Sequence, residues 1–200
     1  MTTPAAAAEL RFAFGVAGLA LAGLPVHDHS IGPVEAATFR AVNRLPDTFY
    51  APLWVVMQAG NAMAPHVAGL AALSTGRRQL AARLAISGTA TWLLAKLVKR
   101  AYRRPRPGTL VEDARCRGPE ASGLGYVSGH AAIAMGIAVA VGQQLRRPAA
   151  AAIAPAVVGL CRMYVGAHLP LDIAGGAALG LTVDAIVDYL LTVTARLDRT

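Results

Sequence analysis

The chain has 200 residues, 55% of them hydrophobic and 15% charged, with a formal net charge of +8. A mean hydropathy of +0.47 and long apolar runs exclude an ordinary water-soluble domain, disorder and most all-β folds. The 19 basic residues, of which only Lys96 and Lys99 are lysine, lie between apolar segments rather than on one hydrophilic face, so they suit an anionic membrane or lipid and not nucleic acid.

A bilayer core about 30 Å thick needs about 20 helical residues. Six apolar runs approach that length, at residues 10–26, 51–73, 79–98, 129–145, 149–167 and 171–195. They predict an all-α integral membrane bundle of six transmembrane helices, with residues 1–200 forming a single membrane-embedded domain. In the first run, Arg11 followed by residues 12–24 also has the pattern of a secretory signal; it is read here as the first span. Residues 27–50 predict a short amphipathic helix on the membrane surface, with Val34, Ala37, Phe39 and Val42 near a helical period. Within that stretch His27, Asp28 and His29 read as solvated loop residues, not metal ligands. Gln58, Asn61 and His66 interrupt the second run and read as interhelical hydrogen-bonding groups. Arg100, Arg103 and Arg104 read as a topology signal or an anionic-lipid contact. In the last run, Gly176-x-x-x-Gly180 predicts close helix packing, and Asp184 and Asp188 offer Arg83 a structural partner. Cys116 and Cys161 are too few for a disulfide framework.

Six crossings sort the polar residues to two sides, and the chemically suggestive ones share a side. Lys99 and Arg106 come from the end of the third run and its loop. Ser128, Gly129 and His130 open the fourth run, and Arg162, His168 and Asp172 surround the turn after the fifth. Arginine forks and a lysine point charge suit a tetrahedral dianion and the charge on its transition state. Ser128 and Gly129 ahead of an apolar helix offer free backbone N–H groups and the positive end of a helix dipole. Two histidines allow one to attack phosphorus while the other protonates the leaving oxygen and then activates water. Asp172 is placed to hold one imidazole nitrogen of His168.

The order and spacing of these residues resemble the type 2 phosphatidic acid phosphatase superfamily, whose signatures are K-x6-R-P, P-S-G-H and S-R-x5-H-x3-D. Here Lys99 is followed after six residues by Arg106-Pro107, whereas a start at Lys96 reaches Arg103-Arg104 without the proline. The second signature is Val127-Ser128-Gly129-His130, and the third is Cys161-Arg162, then His168, then Asp172. The resemblance implies that His168 is the nucleophile forming a phosphohistidine, His130 the general acid and base, and Asp172 the residue that orients His168. It also implies that Lys99, Arg106, Arg162 and the Ser128-Gly129 segment bind phosphate, with no metal and no cofactor. Val127 and Cys161 depart from the pattern. Val127 loses a preset loop conformation, and Cys161 exchanges a hydroxyl donor for a weak thiol; the thiol is expected beside the phosphate.

The expected function is therefore that of a membrane phosphatase acting on a lipid phosphate or polyprenyl diphosphate. The alternatives are a phosphotransferase with a non-water acceptor and a catalytically silent lipid-binding protein. With eight Lys/Arg on the N-terminal side and eleven on the site side, of which Lys99, Arg106 and Arg162 are assigned to phosphate, the positive-inside rule does not decide orientation. The short Arg-rich turns and the resemblance favour a cell-membrane protein with a cytoplasmic N-terminus and an extracytoplasmic site.

Overall fold

The computed structural model describes residues 4–118 and 123–197. They fold into α1 (Pro4–Gly23), α2 (Pro33–Asn43), α3 (Tyr50–Met57), α4 (Ala64–Ser74), α5 (Arg78–Tyr102), the short α6 (Pro107–Leu110), α7 (Gly129–Gln144), α8 (Ile153–Tyr164) and α9 (Pro170–Leu197). No strand forms among the described residues; Pro105 and Leu124 make an isolated antiparallel bridge.

α9 is the axis of the bundle. α1 runs along it, α5 and α7 pack on its other faces, α4 pairs with α5, and α8 lies between α7 and α3. The small residues read from sequence account for the close approach of α7 and α9. A Cβ on Gly176 would overlap the Ser128 carbonyl oxygen, and one on Gly180 the Ala132 carbonyl oxygen. Arg83 holds the end of the bundle away from the 168–170 turn, donating from Nε to Asp184 at 2.8 Å and from Nη1 to Asp188 at 2.8 Å and Gln143 at 2.7 Å. Arg11 of α1 also pairs with Asp188.

Two helices among the described residues are long and apolar enough to cross a membrane, at Ala5–Val26 and Pro170–Ala195. The other predicted runs are shortened or charged. Run 51–73 is not one helix: Asn61 breaks it, its Oδ1 accepting from the backbone N–H groups of Met63 and Ala64 at 2.8 Å, a local bond that competes with helix continuation. Gln58 and Asn61 therefore bond within their own segment, and only His66 reaches another helix, at Thr89. Run 149–167 opens as a 3-10 helix over Pro148–Ala152, leaving α8 with 12 residues.

The helix expected in 27–50 forms as α2, with Phe39 and Val42 of the expected face packed on the core but with polar residues sharing the buried positions. Glu35, Phe39 and Asn43, spaced four apart, are the buried positions, whereas Val34 is 78% exposed. α2 packs against α8 and α9 at the end of the bundle where the 168–170 turn lies. Of the preceding loop residues, His29 Nε2 contacts the Tyr102 carbonyl at 2.9 Å and Asp28 accepts from Ser30 N at 3.0 Å.

Candidate active site

His168 sits in the turn between α8 and α9, and that turn is built by its neighbours. Gly166 has φ +77° and lies so close to the Arg115 carbonyl that a side chain would overlap it, so only glycine fits both demands. Asn43, 1% exposed, donates to the carbonyls of Arg115, Met163 and Tyr164 at 2.9, 3.1 and 3.1 Å and accepts from Arg115 N at 2.7 Å. Arg117 stacks over the Tyr164 ring at 4.2 Å and donates to the Tyr164 carbonyl at 2.6 Å, satisfying the C-terminus of α8. These contacts fasten loop 111–118 over α8 and fix the chain that leads into His168.

A cleft of about 280 Å³ opens beside this turn, lined by Lys99, Arg106, Gly129, His130, Arg162 and His168, with Trp92, Ala95, Lys96, Gly60, Ala62 and Ile133 completing its wall. Six of the eight residues singled out in the sequence thus share one surface. Lys99, in the last turn of α5, donates to the carbonyls of Leu124 and Gly125 at 2.7 and 2.9 Å, which draws the loop down onto the cleft. Gly129 and His130 are the first residues of α7, so the positive end of that helix faces the cations' cleft. Arg162 is 2% exposed, and its Nη1 lies 3.2 Å from Met57 Sδ.

The other two residues stand behind the lining. Ser128 is fully buried; its side chain caps α7 by accepting from Ala131 N at 3.4 Å, and its backbone N–H donates to the Asp172 carbonyl at 2.8 Å. Asp172 is fully buried, and its Oδ2 lies 3.5 Å from His168 Nδ1, longer than a hydrogen bond. That same oxygen accepts from Leu169 N at 2.9 Å, closing the first turn of α9 as the returning half of a capping box does. His168 is 1% exposed. Burial first, and then the charges of Lys99, Arg162, Arg106 and His130, hold its pKa well below the ordinary 6.5, so the imidazole is neutral at neutral pH.

Arg104 corrects the sequence reading. It is not a lipid-facing charge: the side chain is wholly buried. Its Nη1 donates to Asp172 Oδ1 at 2.9 Å and Glu35 Oε1 at 3.0 Å, and its Nη2 donates to Glu35 Oε2 at 2.8 Å and the Ser30 carbonyl at 3.2 Å. Glu35 also accepts from Leu171 N at 3.1 Å. A line of buried groups, Glu35, Arg104, Asp172, His168, therefore runs from α2 to the cleft. The signal available was Glu35 one turn before Phe39, on a helix where two of the three buried residues are polar.

Cys161 is the second correction. The expected phosphate contact is absent from the cleft lining; the thiol is fully buried against Met57, Tyr164, Val165 and Ala167, with Leu53 packed alongside. One residue before Arg162 on a helix, it projects about 100° away and serves as a small hydrophobe. Val127 is likewise fully buried, packed with Tyr126, Leu179 and Val183.

Residues 79–194 match the family described as "PAP2 superfamily". Decaprenylphosphoryl-5-phosphoribose phosphatase of Mycobacterium tuberculosis, in two strains, is 37% identical over 95 residues, which cover 48% of this chain and 52% of the relative. The chain thus aligns with about half the length of the curated relatives it matches. The crystal structure of Aquifex aeolicus LpxE superposes with a TM-score of 0.67 at 22% identity, over 81% of this chain and 97% of that one. A transmembrane PAP2 type phosphatidylglycerolphosphate phosphatase from Bacillus subtilis gives a TM-score of 0.65 at 18% identity, over 92% and 96%. At those identities the two structures establish a shared fold.

Proposed function

The chain belongs to the PAP2 superfamily, and from that premise we propose that it is an integral membrane phosphatase releasing phosphate from a lipid phosphate or polyprenyl diphosphate. The observation that carries the reading is the meeting of two histidines with Lys99, Arg106 and Arg162 on the wall of one cleft at the end of a helical bundle. The curated relatives, named for a decaprenylphosphoryl substrate, support a polyprenyl tail.

Neutral, buried His168 presents Nε2 to phosphorus. The N–P bond forms as the P–O bond to the leaving group breaks, and the leaving oxygen takes its electron pair and a proton from His130. Water, deprotonated by His130, then attacks the phosphohistidine and returns His168 to its starting state. Lys99, Arg106, Arg162 and the N–H groups opening α7 neutralise the equatorial oxygens. Ser128 acts by capping that helix, and Asp172 by steering His168 from behind. Lys99, Arg106 and Arg162 already bring to the cleft the positive charge that a metal ion would otherwise supply, and in this reading turnover is metal-independent.

Residues 1–200 act as one domain in this reading, and six spans are reached if the α3–α4 pair together makes the second crossing. The cleft then opens on the extracytoplasmic face. The test is phosphate release by the purified chain in detergent, with excess chelator, from phosphatidic acid, phosphatidylglycerol phosphate and polyprenyl phosphates. Wild type releases phosphate and forms an acid-labile phosphoprotein, and His168→Ala does neither. Activity of His168→Ala within tenfold of wild type overturns the nucleophile assignment.

A further inference from the structure

α5 brings a second cation to the cleft that the phosphoryl transfer above does not use. Lys96 lies one turn before Lys99 and lines the same wall, next to Trp92. Its ammonium stands 3.4 Å from the centroid of the Trp92 ring, and it has no carboxylate partner among the described residues. Towards the helix middle the α5 surface is apolar, with Leu93 and Leu94 exposed, while the cations Lys99 and Arg100 follow one turn on. An ionisable group on such a face is costly unless a ligand or partner uses it.

The direction along the helix gives the site its chemistry. Lys99 sits at the end of α5 with its ammonium tied to the Leu124 and Gly125 carbonyls, beside the two histidines. Residues three apart on a helix have Cβ atoms about 5–6 Å apart, so Lys96 lies one step nearer the helix middle, on the path from the reacting group to a tail held in the membrane. We propose that Lys96, steadied on the Trp92 face, is the seat of a second phosphate group, the one that joins the reacting terminal phosphate to the lipid tail in a diphosphate. This inference rests on the phosphatase reading. In the transfer, the bond between terminal phosphorus and bridging oxygen breaks and the tail-linked phosphate departs with the electron pair. Lys96 neutralises the charge that develops there, which makes it a determinant of diphosphate over monophosphate specificity.

The experiment compares geranylgeranyl diphosphate with geranylgeranyl monophosphate, using the purified full chain in neutral detergent micelles. Lys96→Met lowers kcat/KM for the diphosphate by about tenfold, the scale of one partly exposed charge-assisted hydrogen bond, while the monophosphate changes by less than about twofold. Lys96→Arg recovers most of the diphosphate rate, and both variants melt with wild type. Equal loss on the two substrates, no loss on either, or a loss that appears only when phosphatidylglycerol is added to the micelles overturns the seat. Wild type that turns over neither substrate overturns the phosphatase reading and the seat together, whereas turnover of both without a selective Lys96→Met effect overturns the seat alone.

Discussion

Removing the Glu35 carboxylate strips Arg104 of one of the two acids that hold it in the interior. The guanidinium is wholly buried and Glu35 is 7% exposed, so neither group has water to fall back on. Glu35→Ala deletes the acceptor for Arg104 Nη1 at 3.0 Å, Nη2 at 2.8 Å and Leu171 N at 3.1 Å. Breaking a buried ion pair from one side costs about 3–5 kcal/mol. Asp172 and the Ser30 carbonyl stay on Arg104, which places Glu35→Ala at the lower end, about 3 kcal/mol. Glu35→Gln keeps a neutral acceptor of the same size and should cost about 1–2 kcal/mol. Arg104→Met should cost most, because it leaves two buried carboxylates facing each other without a cation. Equilibrium unfolding of the purified variants in mixed detergent micelles reads these differences directly. A Glu35→Ala variant within about 1 kcal/mol of wild type, or an Arg104→Met variant more stable than Glu35→Ala, refutes the network as a structural tie.

The pH profile of kcat/KM should have its acid limb well below 6.5, because His168 must be neutral to attack and its pKa is lowered by burial and by the cations around it. Lys99→Met removes the largest of those charges, eases protonation of His168 and moves the limb to higher pH; a limb that stays or moves down contradicts the assignment. Cys161→Ser introduces a hydroxyl among apolar neighbours, so it should lower thermal stability in detergent by about 1–3 kcal/mol and leave KM for lipid phosphate unchanged; altered KM at unchanged stability restores a phosphate contact. Gly180→Ala drives a methyl into the Ala132 carbonyl and should cost about 1–3 kcal/mol by the same unfolding assay, whereas a neutral outcome denies that α7 and α9 are in contact there.

The cleft was legible because its residues are chemically distinctive and sit at helix ends, where spacing in sequence and position in space stay coupled. Lys99, Arg106, Gly129, His130, Arg162 and His168 needed only the order of the runs to be brought together. Arg104 was not legible in the same way. Three arginines stand within five residues after Lys99, and nothing local says which one turns inward. That choice is made by partners 69 and 68 residues away in sequence, Glu35 and Asp172. The misread part of α2 has the same origin: hydrophobic periodicity selects Phe39 and Val42, which do pack on the core, but also the exposed Val34, and it passes over Glu35 and Asn43, each saturated by hydrogen bonds invisible in sequence. The break in run 51–73 was marked by its polar residues, yet a single Asn61 reads equally well as an interhelical donor until its oxygen is seen capping Met63 and Ala64.

The four-charge cluster of Arg11, Arg83, Asp184 and Asp188 has a bearing on how the protein is made. Arg11 and Asp188 are 177 residues apart, so α1 carries a guanidinium whose acid is synthesised much later, in α9. Arg83 is in the same position, its two carboxylates both belonging to α9. Until α9 is synthesised, Arg11 and Arg83 lack the carboxylates they pair with in the finished bundle. The charge-paired seam that joins α1 and α5 to α9 is therefore among the last parts of the bundle able to form.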